Sequence, residues 1–129
     1  MENQYLNINS VTEEEEFPYT DVVVSGDTLY ISGLVAEDLE TRDEFFGTIE
    51  EETGRILDNL AKILEQFGSD MDHVSFANVL LRNWEDKAGM NEEYVKHFDR
   101  KHLPARILSG GLDIADGSKV EISFVAVKK

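Results

Sequence analysis

Residues 47–68, GTIEEETGRILDNLAKILEQFG, place Ile49, Thr53, Ile56, Leu57, Leu60, Ile63, Leu64 and Phe67 at helical spacing. One face of a long helix is therefore apolar and must find a core. Thr48 followed three residues later by Glu51 is a capping-box pair, and the carboxylates at 50–52 suit the positive end of the helix dipole. Gly68 suits the exit. Gly54 costs about 1 kcal/mol against Ala inside a helix, a cost that a close packing contact would explain.

Working outward, residues 18–36, PYTDVVVSGDTLYISGLVA, hold two β-rich runs at 22–24 and 29–34 divided by the turn signal Ser25-Gly26-Asp27, which predicts a hairpin. Beyond the helix, VSFANVLL at 74–81 reads as a central strand. Asp86 is placed to cap a second helix whose buried side carries Met90, Tyr94, Val95 and Phe98, and Leu103-Pro104 ends helical geometry so that a strand begins near Ala105. Strands around 106–112 and 120–127 flank the turn Asp116-Gly117. The order β-β-α-β-α-β-β defines one α+β domain over residues 1–129, with 1–16 as a polar arm whose four carboxylates at 13–16 are solvated and carry no chemistry. Both helices should cover one face of a mixed sheet. The other face, with Tyr30, Ser32, Phe76 and Phe124 as its expected occupants, is left bare, which predicts a small symmetric ring.

At 129 residues and 41% hydrophobic content, the chain can bury one core without a staple. It has no Cys, so disulfides and thiolate metal sites are excluded, and His73, His97 and His102 show no ligand-like grouping in the sequence; no metal or cofactor is expected. Twelve basic against 27 acidic side chains give a net charge of −15, which repels nucleic acid and anionic membranes. No apolar run approaches the ~20 residues that span a bilayer, and the first residues lack the pattern of a signal peptide, so a cytoplasmic location is expected.

No phosphate loop, HExxH or GxSxG motif is present. The five arginines are Arg42, Arg55, Arg82, Arg100 and Arg106. Arg106 stands out because it sits in the apolar run LPARIL, as Glu121 does in VEISFVAV. A guanidinium in a buried strand needs a carboxylate. Arg106 and Glu121 pairing with each other is the simpler reading of the residues; the carboxylate of a small ligand is the other.

The blocks PYTDVVVSGDTLYISG, TIEEETGRILDNLAKIL, MNEEYVKHF, LPAR and VEISFVAV, in this order, resemble the RidA/YjgF family, also labelled L-PSP or translation-inhibitor proteins. The likeness runs from about Phe17 to Lys129. It implies a chorismate-mutase-like α+β fold, a homotrimer with clefts between subunits, and hydrolysis of carboxylate-bearing enamines and imines to keto acid and ammonia without metal or organic cofactor. By this resemblance Arg106 holds the substrate carboxylate, Glu121 activates water, Tyr19 closes the cleft, and Ser32, Gly33, Leu34, Asn91 and Leu108 line it. On their own terms Tyr19 is a core or interface aromatic, Ser32 a strand-face hydroxyl, Asn91 a helix-surface amide, and Gly33 a site of close approach. The chain departs from the family pattern with Arg106-Ile107-Leu108 where a Ser follows the Arg, Leu34 where Gln is common, Lys87 for a bulky apolar residue and Ser123 for a second Glu. A more apolar pocket is the expected result. The alternative to a deaminase is a non-catalytic trimer binding small carboxylates; ribonuclease or translation inhibition fits poorly with the charge.

Overall fold

The computed structural model describes residues 2–8 and 17–129. The elements are β1 (Gln4–Leu6), β2 (Val22–Ser25), β3 (Thr28–Leu34), α1 (Ile49–Gln66), β4 (Val74–Leu81), α2 (Lys87–Val95), β5 (Ala105–Ser109) and β6 (Val120–Val127), with one six-stranded sheet in the order β1-β2-β3-β6-β4-β5. Among the described strands only the β4/β5 pair is parallel. The expected order therefore stands with one strand added: Gln4–Leu6, read as part of a polar arm, pairs antiparallel with β2 at the sheet edge. The acidic run at 13–16 lies outside the described residues.

The helix that anchors the reading forms as its sequence dictates. Thr48 Oγ1 accepts from Glu51 N at 3.1 Å while Glu51 Oε1 accepts from Thr48 N at 2.9 Å, which closes the capping box. A Cβ at Gly54 would stand 3.1 Å from Glu93 Oε2. The glycine thus permits α2 to approach α1. Glu52 does more than favour the dipole: it is fully buried, and its carboxylate accepts from Gly47 N at 3.2 Å and from Lys119 N at 2.9 Å. This ties the start of α1 to the residue before β6, and satisfying a buried carboxylate with two N–H donors and the Lys119 ammonium is what makes its burial tolerable.

Asp86 stands at the N-cap of α2 without making a side-chain capping bond, because the turn Trp84–Asp86 already winds the chain in helical sense and leaves Asp86 in αR geometry rather than the extended conformation a capping side chain needs. Met90, Tyr94 and Phe98 are buried as expected. The hairpin turn narrows to Gly26-Asp27, with Gly26 at φ 61°, a conformation only glycine adopts cheaply.

Alternation along β6 buries Val120, Ile122, Phe124 and Ala126 beneath the helices. Phe124, expected on the bare face, is 2% exposed and belongs to the core. Its place on the open face is taken by Ser123 and Val125. Cross-strand partners share a face, so Val23, Tyr30, Val125 and Phe76 form one row across the open side of β2, β3, β6 and β4. Tyr30 in that row is 50% exposed.

Candidate functional site

One irregularity positions the best candidate residues. Between Ile31↔Phe124 and Leu34↔Ile122, β3 has two residues, Ser32 and Gly33, where β6 has Ser123 alone. That extra residue is a β-bulge, a feature that re-aims side chains next to sites. Ser32 is held there by N–H donation to Asp21 O at 3.0 Å and Oγ donation to Thr20 O at 2.6 Å. The Glu121 carboxylate folds over Gly33: a Cβ at that position would lie 2.7 Å from Glu121 Oε2. Gly33 therefore serves a close approach, and the group approaching is the candidate water-activating carboxylate.

This contact lies in a cleft of about 270 Å³ whose walls include Tyr19, Gly33, Glu37, Arg42, Glu44, Asp116 and Glu121. Tyr19, 54% exposed, stacks on Phe17 with ring centroids 5.5 Å apart. The connection at 37–44 is ordered rather than a plain charged link. Glu37 and Glu44 form an isolated antiparallel bridge, and Arg42 adopts φ 63° while placing Nη1 3.1 Å from Asp21 Oδ2 and Nε 3.0 Å from Glu37 Oε2. Asn59 Nδ2 donates to Glu37 O at 2.8 Å from α1. Burial pushes the Glu37 carboxyl above its ordinary value against the opposing pull of Arg42. The Glu44 carboxyl is also raised, by burial and then by a hydrogen bond to the Asp116 carboxyl. Asp116, at φ 58°, projects from the turn Ala115–Gly117 before β6. Glu37, Arg42, Glu44 and Asp116 carried no motif that would have marked them in the sequence.

Arg106 lies elsewhere. Its register partner Ala77 is buried under the helices, so Arg106 projects from β5 on the helix side. There its guanidinium carbon sits 4.9 Å from the centroid of the Tyr94 ring. It lines a separate pocket with Asn91, Leu103 and Pro104. Burial raises the Tyr94 hydroxyl to about 12, the nearby Arg106 charge acting against it. Glu121, paired in register with Leu80, lies on the opposite face of the sheet. The structural ion pair that is the simpler reading of the residues is thus ruled out within one chain: adjacent strands present the two side chains to opposite sides.

The remaining predicted residues divide likewise. Ser32 and Gly33 join Glu121 at the bulge, while Asn91 stays with Arg106. Leu34, 4% exposed, points into the core, and Leu108 packs against the core from the helix side. The cleft beside Glu121 is acidic where a more apolar lining was expected. Among the described residues, Asp72, Asp99 and His102 bring ligand atoms within 4.8 Å of one another, all exposed. The fold thus groups one histidine with two carboxylates; His102 Nδ1 stands 3.3 Å from Asp72 Oδ1, as a surface ion pair would.

A mixed sheet covered by two helices on one face, with a bulge-built cleft at β3/β6 and a separate arginine pocket at its edge, defines a small α+β domain with two candidate sites. The family model described as endoribonuclease L-PSP matches residues 11–128. The chain belongs to this family, which also includes proteins named YjgF and RidA. The human protein named 2-iminobutanoate/2-iminopropanoate deaminase is 32% identical over 86% of this chain and 80% of its own length; the mouse protein of that name is 36% identical over 86% and 82%. A RutC family protein of Saccharolobus solfataricus is 34% identical over 86% and 87%. Among solved structures, a YjgF-family member from Neisseria meningitidis superposes with a TM-score of 0.81 at 27% identity, covering 100% of this chain and 97% of that one. RidA from an Antarctic Psychrobacter gives 0.77 at 28%, covering 86% and 89%. No described helix is long and apolar enough to cross a membrane.

Proposed function

We propose that this chain hydrolyses small carboxylate-bearing imines and enamines to keto acids and ammonia, in sites shared between copies of a homotrimer. The observation that carries the reading is the placement of Glu121 over Gly33 in an open cleft while Arg106 faces the other side of the sheet in a pocket at its edge. A substrate held by both residues needs the Arg106 of one copy beside the Glu121 of another. The uncovered row of Val23, Tyr30, Val125 and Phe76, with exposed Ile107 on the same face, supports such an assembly. The relatives named as imine deaminases support the reaction.

In the proposed reaction Arg106 holds the carboxylate through its planar fork and fixes the imine carbon near Glu121. Glu121 accepts a proton as a water oxygen bonds to that carbon, forming a carbinolamine. Starting from the protonated imine, the same carboxyl then returns that proton to nitrogen, and as the C–N bond breaks and ammonia leaves, the freed carboxylate takes the hydroxyl proton so that the carbonyl forms; the proton departs with ammonia as ammonium. Tyr19 on the mouth of the cleft limits water exchange.

A ribonuclease reading is disfavoured by the acidic cleft, which repels a phosphodiester. For the non-catalytic binder, Leu34 and Leu108 are no support, since neither side chain lines the Glu121 cleft. The test is release of ammonia and keto acid from imino acids formed in situ, with light scattering for the mass. Turnover by a particle of three chains is expected. Ligand binding with no turnover of any imine would favour the binder.

A further inference from the structure

We infer that the Glu121 cleft selects imino acids whose side chain ends in a cation of the guanidinium or ammonium class, and rejects those ending in a carboxylate. The inference rests on the deaminase reading and names its substrate class. It follows from the charges lining that cleft. Among the described residues, Asp21, Glu37, Glu44, Asp116 and Glu121 are its acids and Arg42 is its one cation.

Arg42 is committed within the chain. Its guanidinium is bound to Asp21 at 3.1 Å and to Glu37 at 3.0 Å, and its backbone is locked into the loop by N–H donation to Asp38 O at 2.7 Å. Two carboxylates face this one guanidinium, so the cluster offers no net positive charge to a ligand's anionic group. The acids that remain are Glu121, at the proposed reaction centre, and the hydrogen-bonded Glu44 and Asp116. Both carboxylates stand in the cleft wall with no cation but Arg42 in the described lining. A substrate side chain in the cleft therefore meets a surplus of negative charge. A second carboxylate would be repelled, and a guanidinium would find bidentate acceptors.

The stacked aromatics are an independent observation pointing the same way. Phe17 and Tyr19 are half-exposed on the wall of the cleft, and the cation-on-ring contacts found among the described residues lie elsewhere, over Phe45, Trp84 and Tyr94. An aromatic face beside carboxylates suits a planar cation, which gains from the ring quadrupole as well as from the charges. The proposed Arg106 of a neighbouring copy does not reverse the balance: it is one positive charge, and the substrate's α-carboxylate takes it up.

The experiment uses amino-acid oxidases to form imino acids from arginine, leucine and glutamate, with semicarbazide trapping to measure hydrolysis by the wild-type protein. The arginine-derived imine should be hydrolysed with kcat/KM roughly tenfold above the leucine-derived one, and the glutamate-derived imine should be the poorest, as expected for one or two partly screened charges. Glu44→Gln and Asp116→Asn should each narrow the arginine-to-glutamate ratio severalfold; Asn tolerates the left-handed backbone of Asp116. The wild-type ratio tests the inference independently of how either variant folds. A glutamate-derived imine handled as well as the arginine-derived one, or a ratio untouched by both substitutions, overturns the selectivity while leaving the deaminase intact. Absence of turnover with all three sinks the deaminase reading and this inference with it.

Discussion

The Glu121 cleft and the Arg106 pocket are built in opposite ways. The cleft draws its walls from four separated segments, around residues 17–21, 33–44, 115–116 and 121, and depends on a bulge, two left-handed residues and an arginine clamp. The Arg106 pocket is the seam between one helix and the edge strand that follows it in the chain. It needs only regular secondary structure and one charge stacked on one ring. The assembled, strained region fits the chemistry, and the simpler region fits substrate holding.

Glu121→Gln should have the largest effect. Removing a proton acceptor at the reacting carbon should lower kcat about 10²- to 10⁴-fold with little change in KM, measured with the leucine-derived imine. Arg106→Ala should act differently. Losing a charge-assisted bond to the substrate should raise KM about 10- to 100-fold, and equal loss in kcat alone would contradict the division of roles. Gly33→Ala tests the bulge: the new methyl must displace the Glu121 carboxylate, a flexible group, so kcat should fall about tenfold while the thermal midpoint moves by only a few degrees.

The smallest effect concerns pH. Glu37 and Glu44 have folded pKa values raised by burial above the ordinary 4.5. Their contribution to stability is complete below the unfolded value and is lost as pH rises through the folded values. Asp38 and Asp70 are held below their ordinary value of 3.8, Asp38 by the Thr41 and Glu40 N–H groups and Asp70 by His73. Their contribution is lost only as pH falls through those depressed values. Thermal midpoints should therefore be slightly higher near pH 5 than at pH 8, and Glu44→Gln should flatten that slope. A midpoint rising steadily toward pH 8 would contradict it.

Where structure is local, the sequence foretold it well. The capping box of Thr48 and Glu51, the apolar stripe of α1, the Gly26 turn and the strand after Pro104 all arise from neighbours in the chain. Strand β1 escaped notice because Gln4–Leu6 is three exposed residues with no alternation to mark them. Phe124 lies in the core with Ile122, as the alternation of VEISFVAV itself implies, and not on the open face. The cleft was harder to foresee. Glu121 and Gly33 are legible through family resemblance, but Asp21, Glu37, Arg42, Glu44 and Asp116 meet only through tertiary folding, and no spacing of residues announces a pocket assembled that way. The separation of Arg106 from Glu121 depends on strand order and register, which a list of strands does not contain.

Whether a complete site takes Arg106 from one chain and Glu121 from another is decided by mixing two defects. Arg106→Ala and Glu121→Gln chains, each strongly impaired alone at substrate concentrations below the wild-type KM, should regain activity there when co-expressed, because some mixed interfaces pair an intact Arg106 with an intact Glu121. Random assembly in equal amounts should restore about a quarter of the wild-type sites. Mixed trimers no more active than the two parents would show that each chain uses its own pair, and would contradict the shared site.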